Sequence, residues 1–415
     1  MRIRQSMNSH PFFFISGMFR SGTSLLARML NAHPELAVAS DPYAPLFKAF
    51  RNQVVRTTEP GQAFDPDAPL GDYYLNPREL VFYEAIQDAS LDRPFSETKL
   101  FTLQEQIRQI SAKSSPKIHP YLDKLKGNSY GELLASGVQI IREAYGDDHT
   151  KLVGFKEAMT NEFVPHILDT FPEAKAIVVQ REPRAMAASC NWAGKKYPWI
   201  YLARQWRKLG AIAWTLTQNG FVNRDRVMLV SYESLIRRPK ETMEQICEFL
   251  DVPFEEISLD PAKFVDGSGN PWMQDPEYVR GVRAFNPDTL SKWRERLSIR
   301  DCEFMERLCW PEMSLFQYQP VVMRRWVIPE DIVKHPPLIP ENELVEWIKP
   351  YSMESKHAYV EELRKERYRW EALTEEKMPD AATQRSFCLS EKVYLELRAV
   401  AQKSKHDRRA RVRND

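Results

Sequence analysis

Five short apolar runs limit what this chain can become. They cover residues 12–15, 36–39, 152–155, 176–179 and 227–230, and they are mostly continuous and rich in β-branched or aromatic side chains. Runs of that length without polar alternation predict strands buried on both faces, as in a parallel sheet. Helical periodicity separates most of them. Leu25, Leu26, Met29 and Leu30 share one helical face, as do Phe163, Val164, Ile167, Leu168 and Phe171. Leu202, Trp206, Leu209, Ala213 and Leu216 share another, and Pro239 opens a helix with Met243, Ile246, Cys247 and Leu250 apolar. Strand and helix in alternation predict an α/β fold around a central parallel sheet.

The alternation lapses twice. Residues 43–128 are polar and carry seven prolines between Pro60 and Pro120, which predicts an insertion of loops and short helices over one edge of the sheet. Prolines at 320, 329, 336, 337, 340 and 350 then break regular structure, before charged helical stretches at 353–376 and 390–403. The expected organisation is one domain over 10–318, with the 43–128 insertion over one edge of its sheet. A helical C-terminal extension over 319–415 follows, ending in a basic tail with six Lys or Arg between 403 and 413. That tail reads as a solvated, frayed end or as a contact for a polyanion or membrane surface.

Composition removes several classes of function. Lys plus Arg number 58 against 57 Asp plus Glu, so a basic nucleic-acid binder is not expected. No apolar run nears the roughly 20 residues of a membrane span, so no transmembrane segment is expected. Five cysteines without a CxxC pair point away from a disulfide framework or zinc cage and towards a reduced, cytoplasmic setting. The eight histidines show no ligand spacing, and no metal is expected.

The loop after the first run carries the chemistry. In Gly17-Met18-Phe19-Arg20-Ser21-Gly22-Thr23-Ser24-Leu25 the two glycines stand five apart, as in the Walker A pattern. Such a loop turns backbone N–H groups inward and meets the positive end of a helix, which makes a phosphate cradle. Thr23 stands where Walker A has its lysine, and the positive charge sits earlier, at Arg20. In open parallel sheets, ligands lie beyond the carboxyl ends of the strands. Those ends here are Ser40-Asp41, Lys156-Glu157, Gln180-Arg181 and Ser231-Tyr232-Glu233. Arg181 is followed by Pro183, suited to a helix's first turn, and by Ser189 two turns further on, so Arg181 and Ser189 could hold a second phosphate. Arg184 reads as facing solvent or a carboxylate.

At these residues the chain resembles the sulfotransferases that use 3′-phosphoadenosine 5′-phosphosulfate. The first motif of that family, G-x-x-R/K-S-G-T-S/T-L, matches residues 17–25. Its second, R-x-P-R-x-x-x-x-S, matches Arg181 and Ser189. Ser231-Tyr232-Glu233-Ser234-Leu235 is similar to its Y-E-x-L segment, and Leu290-Ser291-Lys292-Trp293 to its L-x-K-W. The run Met29-Leu30-Asn31-Ala32-His33-Pro34-Glu35 is like the tyrosylprotein and carbohydrate-type branch. The resemblance covers about residues 10–318. It implies a P-loop-like, three-layer α/β fold with a central parallel sheet.

The resemblance also implies that Arg20, Ser21, Gly22, Thr23 and Ser24 hold the donor's 5′-phosphosulfate. Arg181 and Ser189 would then hold the 3′-phosphate, Tyr232 would lie near adenine, and Lys292 would reach a nucleotide phosphate. The branch's catalytic glutamate falls on Asp41, one methylene shorter, and its catalytic lysine on Lys156. A further arginine of some members falls near Ala193, with Lys195 or Lys196 as stand-ins, and Ser268 is the candidate for the family's mobile serine.

The chemistry follows from charge. An acceptor hydroxyl must lose a proton, which suits Asp41 as base, and the leaving bisphosphate gains charge, which suits Arg20 and Lys156. Asp41 could equally serve as a salt-bridge partner of Lys156 or Arg20. The expected function is sulfuryl transfer to a hydroxyl-bearing acceptor, whether small molecule, glycan or peptide, without a metal. A P-loop kinase or NTPase, or a nucleotide-binding interaction module without turnover, stay open, as does a homodimer.

Overall fold

The computed structural model describes residues 11–61, 64–70, 77–191, 194–272, 285–323, 330–345 and 356–412. The five apolar runs are five parallel strands: β1 (Phe12–Gly17), β2 (Leu36–Ser40), β3 (Leu152–Lys156), β4 (Lys175–Gln180) and β5 (Val227–Ser231). They form one sheet in the order β2-β3-β1-β4-β5. The chain steps to one side of β1 for β2 and β3, then to the other side for β4 and β5. The reversal opens a crevice beyond the carboxyl end of β1, where ligands of such sheets lie.

The side chains explain the centre of the sheet. Phe12 and Phe14 point to one face, against Phe155 at 6.0 and 5.0 Å between ring centroids. Phe13 points to the other, and the parallel register sets it opposite Gly154. A Cβ at Gly154 would run into the Phe13 ring, so this pair needs glycine on one side. All six residues of β1 are buried, which is why the sequence shows no polar alternation there.

The residues group into two compact units. The first holds Met1–Gly71, Phe82–Gln180 and Leu216–Pro287, with the whole sheet; the second holds Asp72–Val81, Arg181–Thr215 and Asp288–Asp415.

In the first unit the region expected as loops and short helices over a sheet edge also contributes to the core. Residues 44–58 form a helix, Ala44–Thr58, that buries Leu46, Phe47, Phe50, Val54 and Val55. Phe47 stacks on Phe14 at 5.9 Å and on Phe155 at 6.4 Å, so this helix covers the sheet's face and belongs to its core. Pro45 lies in its first turn, where a missing N–H costs nothing. The helix Tyr130–Tyr145 packs against β2 and β3 and is capped by Ser129, whose side chain accepts from the Glu132 N–H.

The second unit is helical. The helix Trp199–Leu216 carries Arg204 and Arg207, and Lys356–Thr374 carries Glu366 between them. Glu366 Oε1 accepts from Arg204 Nε at 2.6 Å, and Glu366 Oε2 from Arg207 Nη1 at 2.6 Å. Arg369 pairs with Glu312. The charged helical stretch at 353–376 is thus partly a buried ion-pair layer. The last helices are Ala381–Cys388 and Glu391–Val412. Among the described residues no helix is long and apolar enough to cross a membrane.

Candidate active site

The glycine loop leads from β1 into the helix Thr23–Asn31. Gly17 has φ 155°, and a Cβ there would strike the Val179 carbonyl. Gly22 has φ 98° and lies under the Tyr232 ring, which a Cβ would enter. Both positions therefore need glycine. Arg20 is exposed at φ 63°, at the outer bend of the loop. The buried Ser21 hydroxyl donates to the Met18 carbonyl at 2.5 Å, so it braces the loop from within. No side chain caps the helix at Gly22, and its first turn has no acidic residue. Free N–H groups, a partial positive end and two glycine-lined walls fit a phosphate or phosphosulfate group. Thr23 is buried and Ser24 exposed at the start of the helix.

Tyr232 opens the short helix Tyr232–Arg237, capped by Ser231 Oγ, which accepts from the Ser234 N–H at 3.0 Å. The structure thus brings together the loop and the tyrosine expected near it.

Asp41 and Lys156 meet beyond β2 and β3. The register pairs Ser40 with Lys156 and Lys156 with Ile15. Asp41 has φ 48°, and its N–H donates to the Lys156 carbonyl at 2.6 Å. Its carboxylate accepts from Lys156 Nζ and from the Ala158 N–H at 3.3 Å. The Asp41 side chain is 34% exposed and that of Lys156 only 4%, so the carboxylate is the accessible member. The next residues fix this edge to the loop: the Glu157 N–H donates to the Ile15 carbonyl at 3.0 Å and the Met159 N–H to the Gly17 carbonyl at 2.9 Å.

Two residues here were not singled out by sequence. Glu157 is buried, and its carboxylate accepts from the Tyr43 N–H at the start of the helix Ala44–Thr58. Burial pushes its pKa well up, and the Asp41 charge adds to that. Arg28 is 7% exposed, and its Nε finds no hydrogen-bond partner among the described residues. Burial draws its pKa down, and Tyr145, Asp266 and Asp41 oppose that. A buried guanidinium on an apolar helix face leaves no signal in a motif search. Ser268 lies on the exposed side of a turn in which its N–H and that of Asn270 donate to Asp266 Oδ1 at 2.9 and 3.0 Å.

The other candidates belong to the second unit. Arg181 directly follows β4 and is buried, with its carbonyl accepting from Trp206 Nε1 at 2.8 Å. Ser189 is half-buried in the second turn of the helix Pro183–Cys190. Lys292 is half-buried beside Trp293. Arg184 faces carboxylates: it is buried between Glu182 and Glu306. Lys195 Nζ donates to the Asn342 carbonyl at 2.7 Å and Lys196 Nζ pairs with Glu343 at 2.5 Å, so both are engaged with residues 342–343. Ala193 lies outside the described residues. Among the described residues no three His, Cys, Asp or Glu side chains are grouped to hold a metal.

Two family descriptions match the chain: sulfotransferase family over residues 11–256 and sulfotransferase domain over 211–317. The chain is similar to the protein-tyrosine sulfotransferase of Drosophila melanogaster, 22% identical over 321 residues, covering 75% of this chain and 52% of that protein. It is similar to protein-tyrosine sulfotransferase A of Caenorhabditis elegans, 21% identical over 290 residues, covering 68% of this chain and 61% of that one. It thus spans between half and two thirds of those relatives. Among solved structures it is similar to the sulfotransferase domain from the Synechococcus PCC 7002 olefin synthase. That match has 21% identity and a TM-score of 0.44, over 77% of this chain and 99% of that one.

Proposed function

The chain belongs to the sulfotransferase family, and we propose that it moves a sulfuryl group from 3′-phosphoadenosine 5′-phosphosulfate to a hydroxyl acceptor. One observation carries this reading. An accessible carboxylate paired with a buried ammonium, Asp41 with Lys156, stands at the strand edge that is tied to a glycine loop lacking the Walker lysine.

The donor, when bound, supplies an activated sulfuryl group and a 3′,5′-bisphosphate leaving group. The loop from Gly17 to Ser24 would hold its 5′ side, Tyr232 its base, and Arg181, Ser189 and Lys292 its 3′-phosphate. Asp41 takes the proton from the acceptor hydroxyl, since it is the exposed member of the pair. Arg20 and Lys156 supply positive charge where the leaving oxygen becomes negative. Lys156 pairs with Asp41, so it orients the carboxylate at the strand edge. A sulfonate in transfer carries less charge than a phosphoryl group, so the reading does not call for a metal.

Two relatives bear the name protein-tyrosine sulfotransferase, which makes a tyrosine hydroxyl in a peptide the first acceptor to try. Small molecules and glycans remain in the same class of hydroxyl acceptor. The test is incubation of purified protein with labelled donor and three pools (tyrosine peptides, glycans, metabolites), followed by mass spectrometry for an added sulfonate. A sulfonate on any pool supports the reading. Turnover of ATP with Mg²⁺ instead would favour a P-loop kinase despite Thr23.

A further inference from the structure

The family matches end at residue 317, yet the chain just beyond it is bound into the second unit by one carboxylate. Glu306, in the helix Ile299–Cys309, is 0% exposed. Its Oε1 accepts from the Val321 N–H at 2.7 Å, and its Oε2 from the N–H groups of Val322 at 2.9 Å and Met323 at 2.6 Å. Glu306 Oε1 also accepts from the Arg184 guanidinium. A carboxylate has about four lone-pair sites, so these donors fill it.

Arg184 extends the connection. Its Nε pairs with Glu182, its Nη2 donates to the Gln319 carbonyl at 3.0 Å, and its guanidinium lies 4.3 Å from the Trp293 ring centroid. Glu182 caps the helix Pro183–Cys190 by accepting from the Ala185 N–H at 2.7 Å. Glu182 follows Arg181, the same helix carries Ser189, and Trp293 follows Lys292. The segment 319–323, Glu306 and Arg184 therefore form one continuous set of contacts to both stretches proposed to read the 3′-phosphate.

We propose that Glu306 and the segment 319–323 are a positioning device for the donor's 3′-phosphate. By fixing Arg184 between Glu182 and Trp293 they set where Arg181, Ser189 and Lys292 stand. The charges give the reason. Two carboxylates and one guanidinium buried together leave an excess negative charge, and the N–H groups of 321–323 compensate it. Loss of those donors leaves a buried carboxylate under-satisfied, so Arg184 and its neighbours must shift. The device rests on the sulfotransferase reading above, because the 3′-phosphate is that reading's ligand.

The test uses calorimetry with adenosine 3′,5′-bisphosphate and adenosine 5′-monophosphate on the full chain. Val322→Pro removes one N–H donor without removing a polar side chain, and Glu306→Gln removes the charge. The wild-type protein should prefer the bisphosphate. Each variant should lose about tenfold for the bisphosphate, the scale of one charge-assisted hydrogen bond, and little for the monophosphate. Arg184→Lys should behave likewise, and it decides the matter if Glu306→Gln fails to fold. Equal losses on both nucleotides, or none, overturn the device and leave the contacts a matter of stability. A wild-type protein that does not distinguish the nucleotides overturns the 3′-phosphate reading itself.

Discussion

Asp41 and Lys156 are joined twice, once by backbone and once by side chain. The Asp41 N–H donates to the Lys156 carbonyl at 2.6 Å, and the Lys156 ammonium returns to the Asp41 carboxylate. The double link holds Asp41 at φ 48°, a region that Asp and Asn tolerate better than most residues. The carboxylate's direction is therefore set by two neighbouring strands of the sheet, which suits a group that must face an acceptor before it arrives.

Asp41→Asn keeps size and backbone preference but cannot take a proton. Turnover should fall by roughly 10²–10⁴, the span of a lost general base, with nucleotide affinity nearly intact. Steady-state kinetics beside calorimetry measures both. Asp41→Glu should restore part of the rate if reach is the shortfall. Unchanged turnover in the asparagine variant would place the base elsewhere. Abolished nucleotide binding would make Asp41 a structural partner of Lys156.

Arg181→Ala and Ser189→Ala should both weaken adenosine 3′,5′-bisphosphate. The arginine should cost about 1.5–3 kcal/mol and the serine about 0.5–1.5 kcal/mol, as charged and neutral hydrogen bonds differ. Adenosine 5′-monophosphate should feel little of either change. Equal effects on both nucleotides would show that these residues do not read the 3′-phosphate.

The sheet and the glycine loop were legible because each follows from a local rule. Strands buried on both faces must be continuous apolar runs, and Gly17 and Gly22 stand where backbone and Tyr232 leave no space for a Cβ. The helix Ala44–Thr58 was not legible as core, because Lys48, Arg51, Asn52 and Gln53 interrupt Phe47, Phe50 and Val54, and prolines crowd the following residues. Glu366 and Arg369 give no sign of burial within a charged helix, since their partners lie more than 50 residues away in Arg204, Arg207 and Glu312. Glu157 and Arg28 stayed hidden for a related reason: only the fold reveals that they are buried.

His166 gives a pH dependence to stability. Burial among Phe50 and Phe163 pushes its pKa down to about 4, although Asp169 opposes this. The unfolded chain takes its proton near pH 6.5, so below that pH the unfolded state binds more protons. Stability should fall as pH drops from about 6.5 to 4, by on the order of 3 kcal/mol in all. Denaturant midpoints of the wild type minus those of His166→Gln should show this slope. A difference that stays constant with pH would remove His166 as its source.

Glu366 anchors the second unit. Burial would push its carboxyl up, but the guanidiniums of Arg207 and Arg204 hold it far below the usual range. Glu366→Gln leaves the buried Arg207 short of charge, while Arg204 keeps Glu362, and should cost about 3–5 kcal/mol. Urea unfolding measures it, and a loss under ~1 kcal/mol, the range of an exposed pair, would show that water relieves those arginines.

Arg28 should show the opposite sign. Its guanidinium is buried with an Nε that finds no acceptor among the described residues, within the field of Tyr145, Asp266 and Asp41. A buried donor left unsatisfied costs about 1–3 kcal/mol, more when charged, and methionine fills similar space without that cost. Arg28→Met should therefore raise the melting temperature. Turnover should fall in the same variant, because a charge kept at a stability cost within the field of the proposed base is what a working site retains. Thermal unfolding and kinetics on one preparation separate the cases. A variant less stable than the wild type would show that Arg28 serves as a counter-charge to Asp266 and Asp41. A more stable variant with full turnover would show that the charge does nothing for the reaction.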